Sequence, residues 1–318
     1  MNPQVFMRWG SPIAAAVPRR WAESLADRTG DVVCEHARGA RRTVTENLRQ
    51  VLGTPPDEAQ VRGSFRTYAR YYLSMMRLAH TGTERAIGRL RLEGAEALDG
   101  SLARGRGALV LSAHLGNWDV VGVALARTYG EVCVFVEALR PASLLRYYSR
   151  VRARHGLRAV PAGAASRLPL EVLGGNGLLA LAADRPFGVR RVRVPCGAGH
   201  LVLPAGGLRL ALRAGAALHA VFAIRERGGF VVEIGPDLTT GLEPLRRPTR
   251  ERGSALVPER GAAYEAECLE HVAVGYAAAL QETVRRHPDQ WCLLYPMDPG
   301  RVGVGEAEDG LADYWGAA

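Results

Sequence analysis

Lysine is missing altogether: the 41 positions counted as Lys or Arg are all arginine. A replacement this complete reflects a G+C-rich coding bias most economically, so residue type alone marks no single arginine as functional. Cysteine is scarce, with Cys34, Cys133, Cys196, Cys268 and Cys292 far apart and odd in number. They form no CxxC or Cys/His spacing, which argues against a structural zinc and fits a reduced, cytosolic setting. The chain has no run of about 18 or more uncharged apolar residues, so a membrane-spanning helix is not expected. The stretch Ile13-Ala-Ala-Ala-Val17 is too short and too weakly apolar for a secretory core, and no signal peptide is expected. Internal repeats and low-complexity tracts are absent as well.

What is present is a 318-residue chain with 47% hydrophobic content, enough to bury a substantial core. The formal net charge of +9 favours anionic partners: phospholipid surfaces, phosphorylated cofactors or nucleic acid. Of these, nucleic acid is suggested by charge alone and is not among the expected partners. No helix-turn-helix, RNP or zinc signal occurs, and the arginines are spread through helices instead of clustering with aromatics on one face.

From about residue 10 to 80, apolar residues recur at three-and-four spacing between arginines, and the region reads as helical, broken at Gly53-Thr-Pro-Pro-Asp57. It has two readings. One is a helical subdomain packing its apolar faces on the core; the other is an interfacial anchor in which Met7, Trp9, Trp21 and neighbouring arginines meet an anionic bilayer surface. From about residue 89 the pattern changes to short strands alternating with helices. The strand candidates are Leu90–Leu92, Ala108–Ala113, Val132–Glu137, Leu178–Ala183, Arg191–Pro195, Ala217–Ile224 and Phe230–Ile234. Helices are expected over Ala95–Ala103, Trp118–Thr128, Ser143–His155, Leu168–Leu173, Gly207–Arg213 and Tyr264–Arg286. This alternation predicts an α/β fold with a central, mostly parallel sheet flanked by helices and preceded by an N-terminal helical segment. The tract from Thr239 to Gly261, rich in Pro, Arg, Glu and Gly, reads as a surface loop.

One stretch concentrates the chemistry. Ala108–Ala113 is a buried strand, and Gly116-Asn117 before Trp118-Asp119 reads as a helix start capped by Asn117. His114 therefore falls at a strand's carboxyl end, the rim where open α/β sheets bind ligands. Asp119, five residues on, can swing back across the turn and accept the proton of one ring nitrogen, leaving the other as a general base. The spacing alone is weak, since about 0.8 such pairs arise by chance from 8 His and 32 acids in 318 residues. Asp184 and Arg185 follow the apolar run Leu178–Ala183 and so reach the same rim. Ser112 precedes the histidine but lacks a Gly-x-Ser-x-Gly elbow, and is not read as a nucleophile. The late segment His287-Pro-Asp-Gln-Trp291 reads as structural.

Several segments in order carry a family resemblance: Glu93–Asp99 leading to Gly105-Arg-Gly107, His114-Leu-Gly-Asn-Trp-Asp119, Arg140-Pro141, Ala183-Asp184-Arg185, Leu203-Pro-Ala-Gly206 and His287–Trp291. The chain resembles the bacterial lysophospholipid-type acyltransferases, and more closely the branch holding lipid A late acyltransferases and actinobacterial phosphatidylinositol mannoside acyltransferases. The resemblance implies a glycerolipid-acyltransferase-like fold, with a helical, membrane-associating segment over 1–85 and an acyltransferase domain over 86–318. It implies transfer of a fatty acyl chain from acyl-CoA or acyl carrier protein, as co-substrate, to a hydroxyl of a lipid or glycolipid. No metal or other cofactor is expected, and the implied location is cytoplasmic, peripheral on the inner membrane face. The resemblance assigns His114 and Asp119 to catalysis, and Arg140, Asp184, Arg185 and Asn117 to substrate binding. One departure stands out: Arg193 occupies the place where mannoside-type relatives carry an acid. That departure keeps two rivals open, a soluble acyltransferase acting on a small metabolite and a non-catalytic lipid-binding protein.

Overall fold

The computed structural model describes residues 3–137, 141–162, 167–186, 190–243, 245 and 262–301. Four helices open the chain: α1 (Pro3–Ala16), α2 (Arg19–His36), α3 (Arg38–Leu52) and α4 (Glu58–Leu78). The break after α3 has the expected chemistry. Gly53 caps it in the left-handed region at φ 78°, and Asp57 starts α4 with a reciprocal capping box to Gln60. The short α5 (Thr83–Ile87) leads into the alternating region.

That region contributes β1 (Arg89–Glu93), α6 (Ala95–Leu102), β2 (Ala108–Ser112), α7 (Trp118–Tyr129), β3 (Val132–Val136), α8 (Ala142–Ala153), β4 (Leu157–Pro161), α9 (Leu168–Gly174) and β5 (Leu178–Ala182). It continues with β6 (Arg191–Cys196), β7 (Gly199–Pro204), α10 (Ala205–Ala214), β8 (Ala217–Glu226), β9 (Gly229–Asp237) and α11 (Ala262–Arg286). Seven strands form one sheet in the order β1-β9-β8-β2-β5-β3-β4. All neighbours are parallel except β8 and β9, which a tight turn at Arg227-Gly228 joins as an antiparallel hairpin.

The expected α/β architecture is present, with two strands the sequence pattern did not reveal. β4 reads Leu-Arg-Ala-Val-Pro, a weak apolar run that becomes an edge strand only by pairing with β3. β7 exists because the chain turns back at Gly197 and pairs with β6. The β6–β7 ribbon stands apart from the main sheet, so Arg191–Pro195 is a strand but not a member of the parallel array.

β2 sits mid-sheet between β5 and β8, and every one of its residues is buried. Leu109, Leu111 and Ala113 face a core shared with α3, α10, α11 and the ribbon. Ala108 and Val110 face a second core with α4, α6, α7 and Tyr148 of α8. A strand buried on both faces reads as continuous apolar sequence, which is why this one was legible.

Beyond β2 the chain is clamped. Gly116 adopts φ 58° and its N–H donates to the Gln290 carbonyl at 2.8 Å, while the Gln290 side chain bonds both N–H and C=O of Arg225. A Cβ at Gly116 would lie 1.9 Å from the Ala223 carbonyl oxygen. Gly116→Ala therefore meets both left-handed strain and a backbone collision, and should cost about 2–3 kcal/mol. A thermal melt should fall by several degrees; an unchanged melt would mean that this loop can slide freely.

Candidate active site

β2 and β5 run parallel with Ser112 opposite Ala182, so the two residues just beyond each strand, His114 and Asp184, come out side by side. Asp184 is fully buried and the His114 side chain is 21% exposed. The His114 ring donates from Nδ1 to Asp184 Oδ1 at 2.8 Å, and the His114 backbone N–H donates to Oδ2 at 2.9 Å. A third donor arrives from the far end of the chain: the Trp291 indole N–H reaches Oδ2 at 2.9 Å. A carboxylate only accepts, so Nδ1 carries the proton and Nε2 is left as the basic atom of the ring.

This corrects the expected pairing. Asp119 sits at the start of α7, but its carboxylate turns away from the ring. It receives Arg152 of α8 at 2.6 and 3.0 Å and the Tyr71 hydroxyl of α4 at 2.8 Å. The reason is the helix: it fixes the direction of the Asp119 side chain, and two buried donors wait there. Burial is the largest single influence and pushes the Arg152 guanidinium down, but the charge and hydrogen bonds of Asp119, together with the neighbouring phenols of Tyr71 and Tyr148, outweigh it and hold Arg152 above its usual value. Burial, and then the same carboxylate, push the Tyr71 phenol well up. Asp119 still reaches the histidine through packing. Tyr71 stacks on Trp118 with centroids 3.7 Å apart, and Trp118 lies 4.6 Å from the His114 ring.

The other expected site residues divide. Arg185 pairs with Glu137 and lies over the Tyr295 ring at 3.6 Å. Asn117 occupies the N-cap position of α7 but makes no side-chain cap bond, and both polar atoms of its amide are buried and unpaired. The expected cap is therefore positional only. Arg140 lies outside the described residues. Arg193 is on β6, bound to the buried Asp298 at 2.7 and 3.2 Å.

A cavity of about 240 Å³ opens beside His114. Glu137, Arg185 and Tyr295 lie on its outer side, where they are exposed or half-buried, and its inner wall is apolar, with Val121, Gly122, Leu157 and Ala180 buried. Arg152 and Asp119 also border it. The arrangement offers a base beside a largely apolar slot, with Glu137 and Arg185 on its outer side and the buried Asp119–Arg152 pair in its wall.

The sequence pattern missed Trp291 and Arg152 as members of this site. Trp291 belongs to a segment read as structural, and its link to Asp184 spans 107 positions. A usable signal did exist: His114 and Asp184 each stand two residues beyond a buried apolar strand. Only the strand order makes those strands neighbours.

The bacterial lipid A biosynthesis acyltransferase family model matches residues 7–297. A protein named phosphatidylinositol mannoside acyltransferase from Mycolicibacterium smegmatis is 32% identical over 209 residues, covering 64% of this chain and 69% of that protein. Its namesake from Mycobacterium tuberculosis is 31% identical over 215 residues, covering 64% and 68% respectively.

The Asp119–Arg152 pair sets up a stability test. Asp119→Asn leaves a buried guanidinium without its countercharge and should cost about 3–5 kcal/mol. Replacing both members by apolar residues, as Asp119→Leu with Arg152→Met, should be much less damaging. Denaturant unfolding of the two variants checks this; equal losses would mean that a guanidinium left without its countercharge carries no penalty of its own.

Proposed function

The chain belongs to the bacterial lipid A biosynthesis acyltransferase family, and from that premise we propose that it is an O-acyltransferase moving a fatty acyl chain from a thioester to a hydroxyl of a phospholipid or glycophospholipid, such as a phosphatidylinositol mannoside. The observation that carries the reading is the His114–Asp184 contact, which engages Nδ1 and leaves Nε2 as the ring atom available to act as a base beside a largely apolar slot.

In this reading the acyl chain lies in the cavity with its thioester at His114. Nε2 takes the proton of the acceptor hydroxyl while that oxygen bonds to the carbonyl carbon. The intermediate then collapses, the C–S bond breaks, and the leaving thiolate takes the proton from the imidazolium. No acyl-enzyme forms. Asp184 holds the tautomer and stabilises the imidazolium, the part the sequence pattern gave to Asp119. Asp119 becomes a positioning residue that acts through Tyr71 and Trp118. Arg185, and Arg140 by the resemblance, serve the phosphates of CoA or of an acyl carrier protein.

Membrane contact is part of the proposal. No described helix is long and apolar enough to cross a membrane. On α2, however, Trp21, Leu25 and Val32 are 63%, 66% and 56% exposed, and spacings of four and seven residues put them on one stripe. Exposed Arg20 and Arg28 flank that stripe, and Ile13 of α1 is 66% exposed. Aromatic and aliphatic side chains among arginines suit an anionic lipid surface, and this supports peripheral binding on the inner face. A second reading of the acceptor alone, a small metabolite, rests on the Arg193 departure that the resemblance implies; in the structure Arg193 pairs with Asp298.

Thiol release from palmitoyl-CoA, with and without anionic phospholipid vesicles, tests the proposal. His114→Ala should lose about 10²–10⁴-fold in rate, and Asp184→Asn should fall in the same direction. Undiminished release in His114→Ala would leave only the non-catalytic alternative. Vesicles should raise the rate, and Trp21→Ser with Leu25→Ser should abolish that rise while sparing the vesicle-free rate. A rate indifferent to vesicles would instead point to the soluble, small-metabolite enzyme.

A further inference from the structure

Ser112 is the last residue of β2, and its hydroxyl is an anomaly. It is 4% exposed, and among the described residues its Oγ has no hydrogen-bond partner. Its carbonyl, by contrast, accepts twice, from the Tyr276 hydroxyl at 2.7 Å and from the Ala183 N–H at 2.8 Å. A buried hydroxyl left unpaired costs about 1–3 kcal/mol, which alanine at the same place would avoid.

Strand alternation fixes where the side chain goes. Ser112 shares the face of Ala108 and Val110, whose core includes Val121, Leu157 and Ala180, and Ser112 itself borders the cavity with them. The hydroxyl is thus an unused donor in the wall of an apolar slot, two residues before the base. A fatty acyl thioester entering that slot carries one good acceptor within reach of His114, its carbonyl oxygen.

We propose that Ser112 Oγ–H donates a hydrogen bond to the thioester carbonyl oxygen and is a catalytic residue of the transfer. This rests on the acyltransferase reading above. As the acceptor oxygen bonds to the carbonyl carbon, the C=O electron pair moves onto that oxygen, and the Ser112 hydroxyl holds the developing negative charge. The pair returns when the C–S bond breaks. Ser112 stays protonated throughout and forms no covalent bond. The contact strengthens as charge develops, from a hydroxyl that is itself buried, so it lowers the barrier more than it tightens binding.

The experiment compares the intact protein with Ser112→Ala, Ser112→Cys and His114→Ala, using palmitoyl-CoA and vesicles. In Ser112→Ala, kcat should fall about 100-fold with KM within about twofold, the pattern of an interaction made in the transition state. Its melting temperature should equal or exceed that of the intact protein, because an orphaned hydroxyl has been removed. Ser112→Cys, with a weaker donor, should fall in between. The carbonyl stretch of 1-13C-palmitoyl-CoA bound to His114→Ala should move to higher frequency when Ser112→Ala is added. Unchanged kcat in Ser112→Ala beside an inactive His114→Ala overturns this assignment and leaves the general-base reading standing. A sharp fall in melting temperature also overturns it, since the hydroxyl would then be serving the fold. If the intact protein and His114→Ala release thiol equally, the acyltransferase reading fails and this assignment with it.

Discussion

Three N–H groups from distant parts of the chain converge on the carboxylate of Asp184: the backbone and ring of His114, and the indole of Trp291. A fully buried carboxylate is costly unless its oxygens are satisfied, and here the donors that satisfy it also orient the His114 ring. The clamp continues along the backbone. Cys292 donates to the His114 carbonyl at 2.8 Å, and Gly116 donates to Gln290, so the 290–292 segment runs beside the His114 loop as an extra strand would. Ring orientation, loop path and C-terminal segment are therefore one unit.

A second buried charge supports this unit from the other side. Asp119, Arg152 and the Tyr71 hydroxyl tie α7 to α8 and α4. Because Tyr71 stacks on Trp118, and Trp118 packs on His114, the ion pair fixes one face of the imidazole while Asp184 fixes its edge. An acid five residues after a histidine is thus kept at the site without touching it. Its connection to the imidazole runs through the Tyr71 hydroxyl and the Tyr71–Trp118 stack.

Helix α4 links the site to the outer surface. On one side its tyrosines border the cavity; on the other, Arg66 and Arg70 pair with Asp31 and Asp27 of α2, whose exposed stripe carries Trp21 and Leu25. Helix α4 therefore packs between the cavity and α2, the helix that carries the proposed lipid-facing stripe. That arrangement suits a substrate whose chain must leave a bilayer before it can react.

Much of this was legible in the sequence. Continuous apolar runs flanked by turn residues marked the central strands, amphipathic spacing marked the helices, and Gly53-Thr-Pro-Pro-Asp57 marked a break where one occurs. The strand ends bearing His114 and Asp184 were legible too, but the partner expected for His114, Asp119, binds Arg152 and Tyr71 instead. The edge strand β4 and the return strand β7 were not legible, since their residues become strands only when a partner supplies hydrogen bonds.

By itself, the sequence determined which residues lie at the rim, because burial and periodicity are local properties of the chain. Only the tertiary structure decided which acid meets the histidine. That depends on β5 lying next to β2, on a helix turning Asp119 toward Arg152, and on Trp291 arriving from the far end of the fold. Pairings of this kind follow from strand order and packing, which no spacing along the chain encodes.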